Sequence, residues 1–95
     1  MRDEILEKLR ADKPALDDYG VKAIGIFGSV ARGEAKPEDV DILVDYDSTN
    51  HPGLFGFMEL REHLEGVLGH KVDLVERDGL HPALRDDILD EVVYA

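Results

Sequence analysis

Apolar residues along this chain change their period several times, and each change marks an element. In Asp3 to Ala11, Ile5, Leu6 and Leu9 recur at helical spacing, with acids early and Lys8 and Arg10 late, the order a helix dipole favours. Asp12-Lys13-Pro14 reads as a break and restart. Pro14 suits the first turn of a short second helix that carries Leu16 and Tyr19 and stops at Gly20. Val21 to Phe27 is apolar almost throughout, the mark of a buried strand. Ser29 to Arg32 forms about one helical turn, closed by Gly33. Val40 to Tyr46 is a second strand, and Asp47 to Gly53 gathers Ser, Thr, Asn, Pro and Gly into a loop. In Leu54 to Leu68, Phe57, Leu60, Leu64, Val67 and Leu68 share one helical stripe that ends at Gly69. Val72 to Glu76 is a third strand, and Pro82 to Val92 a last helix with Leu84, Ile88, Leu89 and Val92 apolar.

Helix, strand, short helix, strand, helix, strand, helix is the order of an α/β (α+β) domain with one small sheet and its helices packed on one side. The link between the first two strands is too short for a parallel crossover, which takes a dozen residues or more. The second strand is therefore expected to run antiparallel to the first, in a mixed sheet. Residues 1–95 carry no internal repeat or composition break and read as a single domain.

Composition narrows the function. Eleven basic residues stand against twenty-two acidic ones, a net charge of −11. Long nucleic acid is held mainly by Lys and Arg on its phosphates, so this balance argues against that role and suits a basic partner, with solubility as the plain default. No apolar run reaches the length of a membrane span. The amino end is charged and amphipathic, unlike a signal-peptide core. Cysteine is absent, which excludes thiolate metal sites and fits a cytoplasmic protein.

The candidate chemistry lies in Gly28 to Val44. Period-two alternation puts Asp39 and Asp41 on one strand face and Val40, Ile42 and Val44 on the other. Adjacent carboxylates repel unless a cation sits between them, which suggests a divalent-metal site. Gly28 permits close backbone approach, Ser29 can cap the turn, and the turn's free amides form a small anion site. Amides facing a carboxylate pair suit a nucleoside triphosphate held through magnesium. Asp73, inside the third strand, is the expected third carboxylate and would help to deprotonate an attacking hydroxyl. Arg32 either reaches the triphosphate or caps its own helix. Lys36 and Lys71 read as surface charges. His51, His63, His70 and His81 share no ligand spacing, and Tyr19, Tyr46 and Tyr94 read as packing residues.

Gly28-Ser29, a spacer, Asp39-Val40-Asp41, then Lys71-Val72-Asp73-Leu74-Val75 and the closing HPALRDDILDEVVYA resemble the minimal nucleotidyltransferases of the DNA-polymerase-β superfamily, from Val21 to Ala95. The resemblance implies the nucleotidyltransferase fold, Mg2+ (two ions) and ATP as nucleotide donor. In that family's pattern Gly28 and Ser29 match the phosphate-binding pair, Asp39 and Asp41 the metal pair, and Asp73 the third carboxylate. It further implies an antitoxin that moves AMP from ATP to a tyrosine of a HEPN-domain ribonuclease toxin, in a hetero-oligomer with that toxin. The spacer of nine residues is one shorter than in many small members, and Glu38 stands where those carry Ser. A second reading is a non-catalytic module that neutralises such a toxin by occlusion. A third, a small-molecule transferase, usually needs an acceptor domain that residues 1–95 leave no room for.

Overall fold

The computed structural model describes residues 1–34, 39–47 and 51–95. Its elements are α1 (Arg2–Ala11), α2 (Lys13–Asp18), β1 (Val21–Phe27), α3 (Gly28–Ala31), β2 (Asp39–Tyr46), α4 (Gly53–Leu68), β3 (Lys71–Glu76), a 3-10 turn (Arg77–Gly79), α5 (Pro82–Glu91) and β4 (Val93–Tyr94). Lys36, Glu38 and the Ser48–Asn50 part of the predicted loop lie outside the described residues. Local signals set most boundaries. Acids open α1 and Lys8 and Arg10 close it. Lys13 pairs with Asp17 one turn on, at 3.1 Å. Gly69 ends α4 in the left-handed conformation.

The sheet runs in the order β3-β2-β1-β4. β1 and β2 are antiparallel, as their short connection requires, and β2 and β3 are parallel, joined through α4. β4 was not legible in the sequence. The helical reading continued to Val92, whereas α5 stops at Glu91 and Val93 and Tyr94 pair antiparallel with Ile26 and Gly25. Two residues are too few to express a period of their own.

One face of the sheet makes the core. Ile24 and Ile26 of β1, Val40, Ile42 and Val44 of β2, and Val72 and Leu74 of β3 point into it. Ile5, Leu6 and Leu9 of α1, Leu16 of α2 and Leu60, Leu64 and Leu68 of α4 cover them, with Val30 and Ala31 of α3 at one end. Ile42, Val44, Leu60 and Leu64 are all fully buried, each contributing roughly 1.5–3 kcal/mol of apolar transfer. Phe57 and Val67 flank this layer half-buried. α5 behaves differently: it contributes no buried residue, and Leu84 is 56% exposed. Its apolar stripe has the right spacing but only a thin layer of neighbours, chiefly α3.

Directly opposed residues share a sheet face, so the register places Gly25, Phe27, Asp41 and Leu43 together on the face away from the core. The chain after α5 crosses this face over Gly25. A Cβ added there would lie 2.8 Å from both Val92 Cγ2 and the Val93 carbonyl oxygen. Gly25 is therefore the residue that lets β4 close onto β1. Gly25→Val is expected to cost ~1–3 kcal/mol by overpacking, read as a lower urea midpoint. Hydrogen-exchange protection should fall at the Ala95 amide, which donates to the Ile24 carbonyl at 2.9 Å. An unchanged Ala95 amide would contradict this account of the close approach.

Candidate active site

The carboxylates are brought together by strand register alone. Asp41 is paired with Phe27 of β1 on one side and with Asp73 of β3 on the other. Asp39, two residues earlier on the same face, is paired with Lys71. The predicted trio thus occupies adjacent positions on two neighbouring strands, roughly 5 Å apart across and 7 Å along the sheet. Asp39 and Asp73 are exposed, and Asp41 is half-buried. Lys71, read as a surface charge, is exposed and stands in the same row as Asp39.

Gly28 is what gives Asp41 its place. Its φ is +70°, a conformation that side chains oppose, and a Cβ there would lie 2.1 Å from Asp41 Oδ2. Both requirements point to glycine, and the space a Cβ would fill is taken by the carboxylate. The expected cap by Ser29 is not formed. Phe27 is the residue flanking α3, no side chain caps the helix, and Ser29 lies within the first turn. Its carbonyl accepts the Glu34 amide at 3.0 Å instead. The amides that open α3 keep no intrahelical partner by position.

Arg32 follows α3 as its C-terminal flanking residue and is held by two acids. Nε donates to Glu34 at 3.2 Å, and Nη1 donates to Glu91, the last residue of α5. These two hydrogen bonds hold its guanidinium above its ordinary pKa. Glu91 was not singled out in the sequence. The available signal was an acid in the last turn of a helix, where the dipole disfavours negative charge. Arg2 donates to the Ala31 carbonyl at 3.2 Å, satisfying the end of α3 from the amino-terminal helix.

The electrostatics follow from this arrangement. Burial raises the Asp41 carboxyl above its usual range, and Asp73 and Asp39 add to the rise, as does Glu91; Arg32 opposes them. Among the described residues no three His, Cys, Asp or Glu side chains converge, as they stand, into a ready metal cage. The donor chemistry nevertheless fits a hard divalent cation: all donors are carboxylate oxygens, and a cation would offset the burial and the repulsion that together push Asp41 toward protonation.

His51, His63, His81, Tyr19 and Tyr46 take structural parts, whereas Tyr94, read from the sequence as a packing residue, is 45% exposed and pairs with Gly25 on the carboxylate side of the sheet, because the edge strand it joins has no layer over it. His63 pairs with Asp12 at 2.7 Å and packs against Tyr19, His51 pairs with Glu76 at 2.6 Å, and His81 accepts the Ala83 amide at the start of α5. Tyr46 is buried with its hydroxyl unpartnered among the described residues, and burial pushes its pKa up to about 12. A cleft of about 200 Å3 between α1, α2 and β1 is lined by none of Asp39, Asp41 and Asp73.

The sequence matches the nucleotidyltransferase domain family over residues 2–95. It is 48% identical over 94 residues to the protein adenylyltransferase MntA of Thermococcus cleftensis, covering 97% of this chain and 93% of that one. A solved structure described as a minimal nucleotidyltransferase is 40% identical, superposes with a TM-score of 0.73, and is matched over 93% of both chains. A tri-AMPylated Shewanella oneidensis HEPN toxin in complex with its MNT antitoxin matches at 23% identity and a TM-score of 0.68, over 99% of this chain and 71% of that one. At that identity the likeness is one of fold. Among the described residues no helix is long and apolar enough to cross a membrane.

Two outcomes test the geometry. Gly28→Ala should displace the Asp41 carboxylate and remove any magnesium-dependent rise in Tm, while costing the metal-free fold only ~1–3 kcal/mol for the strained backbone. Asp41 has a raised pKa in the folded state, so its ionised form opposes folding above that pKa, and the penalty fades as the pH falls through it. Asp41→Asn should therefore raise the metal-free Tm at neutral pH, by ~2–4 °C for a relief of ~0.5 kcal/mol. The gain should shrink as the pH approaches 4. A gain that grows on acidification would refute the assignment.

Proposed function

Since the chain belongs to the nucleotidyltransferase domain family, we propose that it is a magnesium-dependent protein adenylyltransferase. Its donor would be ATP, its acceptor a tyrosine hydroxyl of a HEPN-domain ribonuclease toxin, and its role that toxin's antitoxin. The observation that carries this reading is Asp41 seated where a Gly28 Cβ would be, with Asp73 in register beside it. The named activity of the Thermococcus relative supports protein adenylylation, and the Shewanella complex supports the class of partner. Two features of this chain agree with a protein acceptor. Two of the three carboxylates, Asp39 and Asp73, are exposed, and a net charge of −11 suits a basic, RNA-cutting partner.

Asp39, Asp41 and Asp73 would hold two magnesium ions, which supply charge neutralisation at the triphosphate when bound. The amides that open α3, with Gly28 and Ser29, would receive phosphate oxygens, and Arg32 would reach the same group. The acceptor oxygen attacks the α-phosphorus as the bond to pyrophosphate breaks, its electron pair leaving with pyrophosphate. Asp73 takes the acceptor's proton. It is the exposed member of the Asp41–Asp73 pair and so the one an incoming hydroxyl can meet.

An occlusion mechanism, in which the toxin is neutralised by binding alone, has one observation in its favour. The first turns of α4 expose Leu54 (71%), Phe55 (81%) and Met58, an apolar patch on this acidic domain. Intact-mass spectrometry separates the two readings. The protein is mixed with ATP, magnesium and a HEPN-domain protein, the proposed partner. Gain of one or more adenylates on the toxin is expected, and its loss in Asp39→Asn/Asp41→Asn. Toxin that stays unmodified but is still inhibited by the double variant would establish occlusion instead.

A further inference from the structure

We propose that Glu91 is a positioning residue of this site, a latch that holds Arg32 away from the triphosphate until nucleotide arrives. The inference rests on the nucleotidyltransferase reading above and adds to it a residue from the far end of the chain.

Three observations converge on the contact. Arg32 and Glu91 are 59 positions apart, so their hydrogen bond is made by the fold and not by local sequence. It joins the C-terminal ends of two helices, since Arg32 flanks α3 and Glu91 closes α5. Both ends carry outward-facing carbonyls and a negative dipole end, and α5 has no basic residue in its last turn. An acid there is unfavourable by itself, and the guanidinium is the group that compensates it.

The second observation is how little else holds α5. It buries no residue, and its main helix partner is α3. Beyond that it is tethered by the chain entering β4 over Gly25. The third is proximity to the reacting groups. Arg32 closes the short turn of α3, whose first residue, Gly28, lies directly against the Asp41 carboxylate. Arg32 thus stands beside the carboxylates while its Nε and Nη1 donate to Glu34 and Glu91.

A triphosphate competes with two carboxylates for this guanidinium. Glu34 lies on the same turn as Arg32 and can move with it, whereas Glu91 is fixed to another helix. Transfer of Arg32 Nη1 to phosphate therefore breaks the Glu91 contact and releases the end of α5. The latched fraction lowers the apparent affinity for nucleotide, since binding has to draw on the unlatched state.

Calorimetric titration with magnesium and a non-hydrolysable ATP analogue tests this at 0.15 M salt, where charges farther than ~8 Å are screened. Glu91→Gln should bind about two- to fivefold more tightly than the unaltered protein, the range of an exposed ion pair removed as competitor. Arg32→Ala should bind more weakly, and Glu91→Gln added to it should bring no gain. Asp87→Asn, on the same helix, should change nothing. Damage to the fold would weaken binding, so tightening is a readout that a merely structural role does not give. Unchanged or weaker binding by Glu91→Gln overturns the latch. A gain that persists without Arg32 also overturns it, as general charge relief. If the unaltered protein binds no nucleotide, the reading of the site fails and the latch falls with it; binding without the Glu91 effect removes the latch alone.

Discussion

The register of β2 is the constraint on which everything else in this domain depends. Val40, Ile42 and Val44 on one face complete the core, and Asp39 and Asp41 on the other carry the candidate site. With a side-chain period of two, a slip of one residue would carry the aspartates into the core and the three apolar residues into water. Core and site are thus specified by the same set of hydrogen bonds. Removing an apolar side chain from the helices that cover β2 would bear on the carboxylates without touching them. The strand's neighbours reinforce the choice: β1 ends at Phe27 opposite Asp41, and β3 brings Asp73 to the same row.

The site also shows the tension common to charge-rich sites. Three carboxylates on one sheet face, with a fourth from α5 nearby, are an arrangement that folding alone would not select. The half-buried Asp41 bears most of that cost, and Gly28 adds a backbone conformation that an ordinary residue would resist. Such features persist when the surrounding structure over-determines them. Here the surroundings are the buried strand face and the short turn of α3, whose Val30 is 2% exposed and anchors the turn in the core.

Much of this was legible in the sequence because it is written in periods and turns. The alternation in Val40 to Val44 gave both faces of β2, and the short spacer gave the antiparallel pairing. Asp73 could be placed because an acid inside an apolar strand faces away from the core. What escaped has no local signature. Val93 and Tyr94 became a strand only because the edge of β1 was open to them. Ser29 did not cap its helix because Phe27, not Ser29, is the residue before the first turn. Glu91 meets Arg32 through tertiary structure, and nothing at either position alone announces the pair. The stripe on α5 shows the converse: helical spacing predicts the helix, but burial needs a partner layer that the spacing does not contain.

The pairing of β4 with β1 has a consequence for how the chain reaches its native state during synthesis. β1 is made early, but the residues that cover its second edge follow only after every other element. Until then the Val21–Phe27 edge presents unpaired amides and carbonyls, the template on which strands of separate molecules associate. Two features make that template a poor one. The β1–β2 register shifts between Val21 and Ala23, which bends the strand at the exposed, charged Lys22. Gly25 offers an incoming strand no side chain to pack against. The residue that admits the chain's own β4 thus also weakens the invitation to a foreign one.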